Sequence, residues 1–218
     1  MASCTYTVPT SSQMDISGDN LYANQMNQWQ AFYDWAWDAY DFDEGDWNEG
    51  FGYEDRWDRT KPLARTMAAL YCLVYSPGSG NWDPDGNILQ WAWRYCSKEI
   101  DELDARCGDG SAYAYTRWGI IIDNYTRLYQ LFFYGQGVVL RAGTIVHEAR
   151  HADWKGHDDD PNDSSWEYNG AWRWHVVWLW WFYVAARGTT PALQLQARQK
   201  ANSILSSRFT EDPGFRIS

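Results

Sequence analysis

Apolar residues recur at helical spacing along most of the chain and crowd together, strand-like, in one region. From Asp19 or Asn20, either of which suits a helix N-cap, the positions Leu21, Met26, Trp29, Phe32, Tyr33 and Trp37 predict one helix reaching about Tyr40. Residues 1–16 read as extended and irregular, and the acidic stretch from Asp41 to Asp58 as a loop. Pro62 fits the first turn of a second helix ending at Tyr75. A turn, SPGSGNWDPDGN, leads into a third helix expected from Ile88 to about Arg106. Trp118–Ile122 and Arg127–Tyr134 then predict two strands joined around Asp123-Asn124. The apolar run Val138–Val146 leads into a helix opened by Arg141-Ala142-Gly143 and stopped by Gly156, with Ile145, Val146 and Ala149 directed to the core. After a polar loop at 156–165, an aromatic helix is expected over 166–187, and Pro191 starts a last one reaching about Ser207. The order gives an α+β class: a mainly helical domain with a small β-sheet before the helix at 141–156.

That helix carries the most specific chemistry in the chain. Residues 147–151 read His-Glu-Ala-Arg-His. On a helix, positions i and i+4 lie about 40° apart on one face, so His147 and His151 can aim ring nitrogens at one ion. Glu148 falls about 100° from His147, near enough to reach a water beside that ion without ligating it. Two neutral nitrogen ligands and an adjacent carboxylate base suit zinc-assisted hydrolysis. All four histidines of the chain, His147, His151, His157 and His175, fall in this one region. Scattered structural histidines would not cluster so.

Composition narrows the function classes. A net charge of −11 argues against nucleic acid and against an anionic membrane surface. No apolar run is long enough to span a bilayer, since Val176–Ala186 is short and crowded with tryptophan. With 218 residues the chain reads as one domain, 1–218, in which 1–60 can form a helical, acidic N-terminal extension. Sixteen tryptophans suit either an aromatic-rich core, the preferred reading, or a surface that binds sugar or peptide. The four cysteines are read either as buried thiols or as two bridges, Cys72 with Cys96 and Cys4 with Cys107. Met1-Ala2-Ser3-Cys4 has neither the basic nor the apolar part of a secretory signal. The expected location is extracellular, as a mature form, with a cytoplasmic one the alternative.

Over about 30 to 40 residues the His147–His151 segment resembles the zincin metallopeptidases. The resemblance implies one catalytic Zn2+, three protein ligands and Glu148 as general base, acting on a peptide or protein substrate. It offers two routes to the third ligand. The gluzincin pattern takes a glutamate from a later helix, which points to Glu167, although Ser164-x-x-Glu167 also spells a capping box. The metzincin pattern HExxHxxGxxH points to His157, but its glycine is Trp154 here and no methionine follows Met67; Gly156 is the available substitute. An aspartate of the loop (Asp158, Asp159, Asp160 or Asp163) is a third choice. Glu167 is the preferred ligand at this stage. Tyr168, Arg173 and His175 are the candidate oxyanion donors, and Arg150 is expected in an ion pair. The short sheet offers an edge for an extended peptide. A weak calcium loop is read at Asn81–Ile88, with Asp83 and Asp85 as its acids and Ala92 where a glutamate belongs. The competing functions are a sugar- or peptide-binding module with an incidental HExxH and a zinc amidase acting on cell-wall peptide.

Overall fold

A computed structural model describes residues 9–10, 14–48, 50–76, 92–108, 111–119 and 122–218, the side chains of 118–119 and 122–124 excepted. Nine helices and three strands are assigned among them. The N-terminal helix expected to reach Tyr40 is two: α1, Asp19–Met26, and α2, Gln30–Ala39. Asn27 and Gln28 between them adopt left-handed backbone, φ 40° and 56°, which breaks the helical ladder without a proline or glycine to announce it. A one-turn helix α3, Glu44–Trp47, follows, capped by Asp43. α4, Pro62–Tyr75, has the predicted bounds, with proline at its start.

The third predicted helix is corrected: α5 covers Ala92–Glu99, and Glu102–Ala105 forms a strand, β1. The Asn81–Ile88 loop, with Asp83 and Asp85, lies outside the described residues. β2, Ala114–Gly119, and β3, Ile122–Leu128, make the expected hairpin, shifted toward the N-terminus. Gln130–Tyr134, expected as strand, is a short helix α6, whose Phe132 and Phe133 enter the core. The sheet order is β1-β3-β2, with β1 parallel and β2 antiparallel to β3. β2 is therefore an edge strand.

α7, Val138–Ala152, begins at the start of the apolar run and is the central element. It packs against α4, α5, the edge strand β2 and α8, Ala171–Ala185. A helix surrounded this way must be apolar on nearly every side. The polar groups it does bury (Arg141, Thr144, His147 and Glu148) therefore each demand a partner. α9, Pro191–Ser207, closes the fold against α8, as its Pro191 start predicts.

One continuous apolar cluster runs from Tyr22 to Ile217. Most described tryptophans pack into or against it: Trp47, Trp178 and Trp181 are buried, while Trp29 and Trp154 are the exposed ones among the described side chains. The aromatic richness thus serves the core. Cys72 on α4 and Cys96 on α5 are buried free thiols, so a bridge between them is ruled out, and burial pushes Cys72 up to about 11. Cys107 is disulfide-bonded, and Cys4 lies outside the described residues. No helix among the described residues is long and apolar enough to cross a membrane.

Candidate metal centre

α7 delivers His147 and His151 from one face, one turn apart, with their rings perpendicular and their Nε2 atoms 3.1 Å apart. The helix stops at Ala152. Trp154, at the position of the metzincin glycine, itself takes a left-handed conformation, φ 57°. That residue supplies the reversal, at a cost of about 1–2 kcal/mol for a side chain in this region. Gly156 does not have positive φ, and a Cβ there would meet nothing. The chain then returns His157, whose ring centroid lies 5.3 Å from that of His147 and 4.6 Å from that of His151. One ligand atom from each of the three histidines lies within 4.8 Å of the others.

The preference for Glu167 is corrected by this geometry. Glu167 is exposed in a turn before α8 and takes no part in the group. Nor does Ser164 cap a helix with it, because α8 starts four residues after Glu167 and its N-terminus is served by Asp163. The backbone N–H of Trp172 donates to Asp163 Oδ2 at 3.2 Å, while His157 Nδ1 donates to Asp163 Oδ1 at 2.7 Å. One fully buried carboxylate therefore accepts from the first turn of α8 and orients the His157 ring. Gly170 makes this possible, since a Cβ there would overlap the Asp163 carboxylate.

Tautomers follow from these partners. A carbonyl only accepts, so His151 Nδ1 carries the proton it gives to Lys155 O at 2.9 Å. Asp163 fixes the same tautomer at His157. In both rings Nε2 is left as a lone pair, the form a metal requires. His147 is nearly inaccessible, and its Nδ1 has no hydrogen-bond partner. Burial, then the neighbouring His151, His175 and His157, hold it well below the usual histidine value, so it stays neutral.

Glu148 projects from the other side of α7 toward the sheet. Thr126 pairs with Thr116 across β3 and β2, and the hydroxyl of Thr116 donates to Glu148 Oε2 at 2.8 Å. Burial raises the Glu148 carboxyl, against the lowering effects of His151 and Thr116. A cavity of about 590 Å³ opens over these groups, walled by Ser111–Thr116 at and just before the start of β2, by Trp172 and His175 of α8, and by α9. Trp172 lies against His147 at 4.3 Å between centroids and stacks on His157 at 5.6 Å.

The remaining predicted residues separate cleanly. Tyr168 spends its hydroxyl on Gly156 O, and Arg173 holds Trp166 O while covering the Trp166 ring. His175 alone of the three candidate donors lines the cavity. It packs against Gly143, where a Cβ would come within 2.7 Å of its Nε2, and neither ring nitrogen has a partner. Burial, then Lys200, push it down to about 3. Arg150 forms the expected ion pair, with Asp153 at 2.6 Å. In a second carboxylate group, Asp46, Glu102 and Asp104, Arg106 bridges Asp46 and Asp104 while Arg127 stands 3.8 Å from Asp104, and burial pushes the Asp104 carboxyl up to about 9. Sequence reasoning missed Thr116 and Lys200 and gave Asp163 only as an alternative ligand; the Asp163–Gly170 spacing is the one signal that could have marked a capping carboxylate. Comparison with protein-family models, curated proteins and solved structures yields no match for this chain.

Proposed function

We propose that the protein is a zinc-dependent peptidase in a zincin-like domain, with His147, His151 and His157 as the ligands and Glu148 as general base. One observation carries the reading: ligand atoms of three imidazoles converge, and two of the rings have their outer nitrogens already bonded. An all-imidazole set with one open position suits catalytic zinc better than calcium or magnesium, which take oxygen ligands. Zinc held there would supply Lewis acidity to a water and to the scissile carbonyl.

The chain's own groups account for the rest. Glu148 takes a proton from the attacking water and returns it to the leaving amine. Burial raises its carboxyl above the usual carboxylate range, which suits it to this role. Thr116 holds that carboxylate in place from the edge strand, along which an extended substrate can pair with β2 by main-chain hydrogen bonds. His175, neutral and without a partner, faces the cavity as a hydrogen-bond donor for the developing oxyanion. An extracellular location is part of the proposal, and the disulfide at Cys107 supports it.

The test is cleavage of a peptide library by the zinc-loaded protein. Glu148→Gln should keep its zinc and lose about 10²–10⁴ in kcat. Cleavage at the wild-type rate by that variant would remove Glu148 from the mechanism.

A further inference from the structure

The wall of the cavity opposite β2 comes from one face of α9: Lys200, Ser203, Ile204, Ser207 and the residue that caps the helix, Arg208. The spacing i, i+3, i+4, i+7, i+8 places all five on one stripe. Two of them are cations, and neither has a carboxylate or a side-chain hydrogen-bond partner among the described residues. Lys200 is half-buried, with Arg208 as the neighbouring charge that, after burial, lowers its pKa. The Arg208 guanidinium lies 4.8 Å from the centroid of Trp172, the ring that covers His147 and His157.

This is an unusual place for uncompensated positive charge. The chain carries 29 acids against 18 bases, so acidic partners are plentiful. Arg65, Arg106 and Arg150 each pair with one. Bringing two like charges together in a half-buried wall costs free energy that an anion in the cavity would recover. The carboxylates that line the cavity are committed or remote: Glu148 is held by Thr116, and Asp160 is exposed at the rim.

We infer that Lys200 and Arg208 receive a carboxylate of the substrate, so that the protein acts on peptides that present a carboxylate near the scissile bond. The inference rests on the peptidase reading and names its substrate class. The carboxylate belongs either to an acidic side chain beside the scissile bond or to the peptide's own C-terminus. A cation pair of this kind does not distinguish the two.

The experiment uses matched peptides with Glu or Gln at each position in turn, each with an amidated or a free C-terminus. For the zinc-loaded protein, kcat/KM should be on the order of tenfold to a hundredfold higher for a peptide carrying the recognised carboxylate. A Glu preference independent of the terminus assigns a side chain; a free-terminus preference independent of Glu assigns the α-carboxylate. The preference should collapse toward one in the Lys200→Gln, Arg208→Gln double variant, with folding checked by circular dichroism. Equal rates for all peptides, or a preference that survives the double variant, overturns the inference. If no peptide is cleaved, the peptidase reading fails on its own, and a second arm still decides. The metal-free protein is titrated with N-acetylglutamine amide, N-acetylglutamate amide and N-acetylglutamine, followed by NMR. Tighter binding of either carboxylate, lost in the double variant, sustains the anion site. Equal binding of all three eliminates it.

Discussion

The two ends of α7 each bury a polar cluster, and they are built on opposite plans. Near the N-terminal end, the Asp19 carboxylate sits between Arg141 and Arg65, with Arg65 Nη1 at 2.8 Å. Arg141 also donates to Gln136 O at 2.6 Å, and Arg65 to Asp15 O at 2.7 Å. Burial, then Arg141, push Arg65 down to about 10. The chain itself supplies a carboxylate between the two guanidiniums, although Arg141 Nε is left without a hydrogen-bond partner. Near the C-terminal end three histidines meet, with the Asp163 carboxylate on the outer nitrogen of His157, and His147 Nδ1 is buried without a hydrogen-bond partner. The chain supplies the counter-charge at the first cluster, and the second is where we propose that zinc binds.

The contrast can be broken from either end. Asp19→Ala strands two buried guanidiniums and should cost about 3–5 kcal/mol of unfolding free energy, read from urea denaturation. Zinc stoichiometry of the folded fraction should stay unchanged. Asp163→Ala acts at the other end: the His157 ring loses its orienting carboxylate, and zinc affinity should fall about tenfold to a hundredfold. The same change removes the cap of α8, worth about 1 kcal/mol. A smaller effect separates the turn residues: Trp154→Gly relieves left-handed strain, whereas Gly156→Ala should change stability by less than about 0.5 kcal/mol. If Gly156→Ala weakened zinc binding and Trp154→Gly did not alter stability, the reversal would lie at the wrong residue.

Acid titration sharpens the comparison further. His175 is pushed from the usual 6.5 down to about 3 in the fold, so between these values the unfolded chain binds a proton that the native chain does not. Its contribution to stability is full above pH 6.5 and is lost as pH falls toward 3. Metal-free protein should therefore lose denaturation midpoint across that window, and His175→Gln should flatten the loss.

How much was legible in the sequence depends on what stops each element. Pro62 and Pro191 fix helix starts through their own covalent geometry, so α4 and α9 have the predicted bounds. His147, Glu148 and His151 were legible because i, i+4 spacing on a helix is rigid. The break at Asn27-Gln28 and the reversal at Trp154 were not, because residues other than glycine adopt positive φ there under tertiary constraint. β1 was hidden for another reason: Glu102–Ala105 pairs with Tyr125–Leu128, a contact no local window contains. The third histidine was spelled by spacing yet outweighed by a capping box that the fold does not form. Asp163, one residue before Ser164, is the group that caps α8 and also holds His157.

The most direct test compares zinc content across three proteins: wild type, His157→Ala and Glu167→Ala, each dialysed against zinc and measured by mass spectrometry. The structure predicts one zinc per chain in wild type and in Glu167→Ala, and loss of bound zinc in His157→Ala. Zinc retained by His157→Ala and lost from Glu167→Ala would contradict the three-histidine centre.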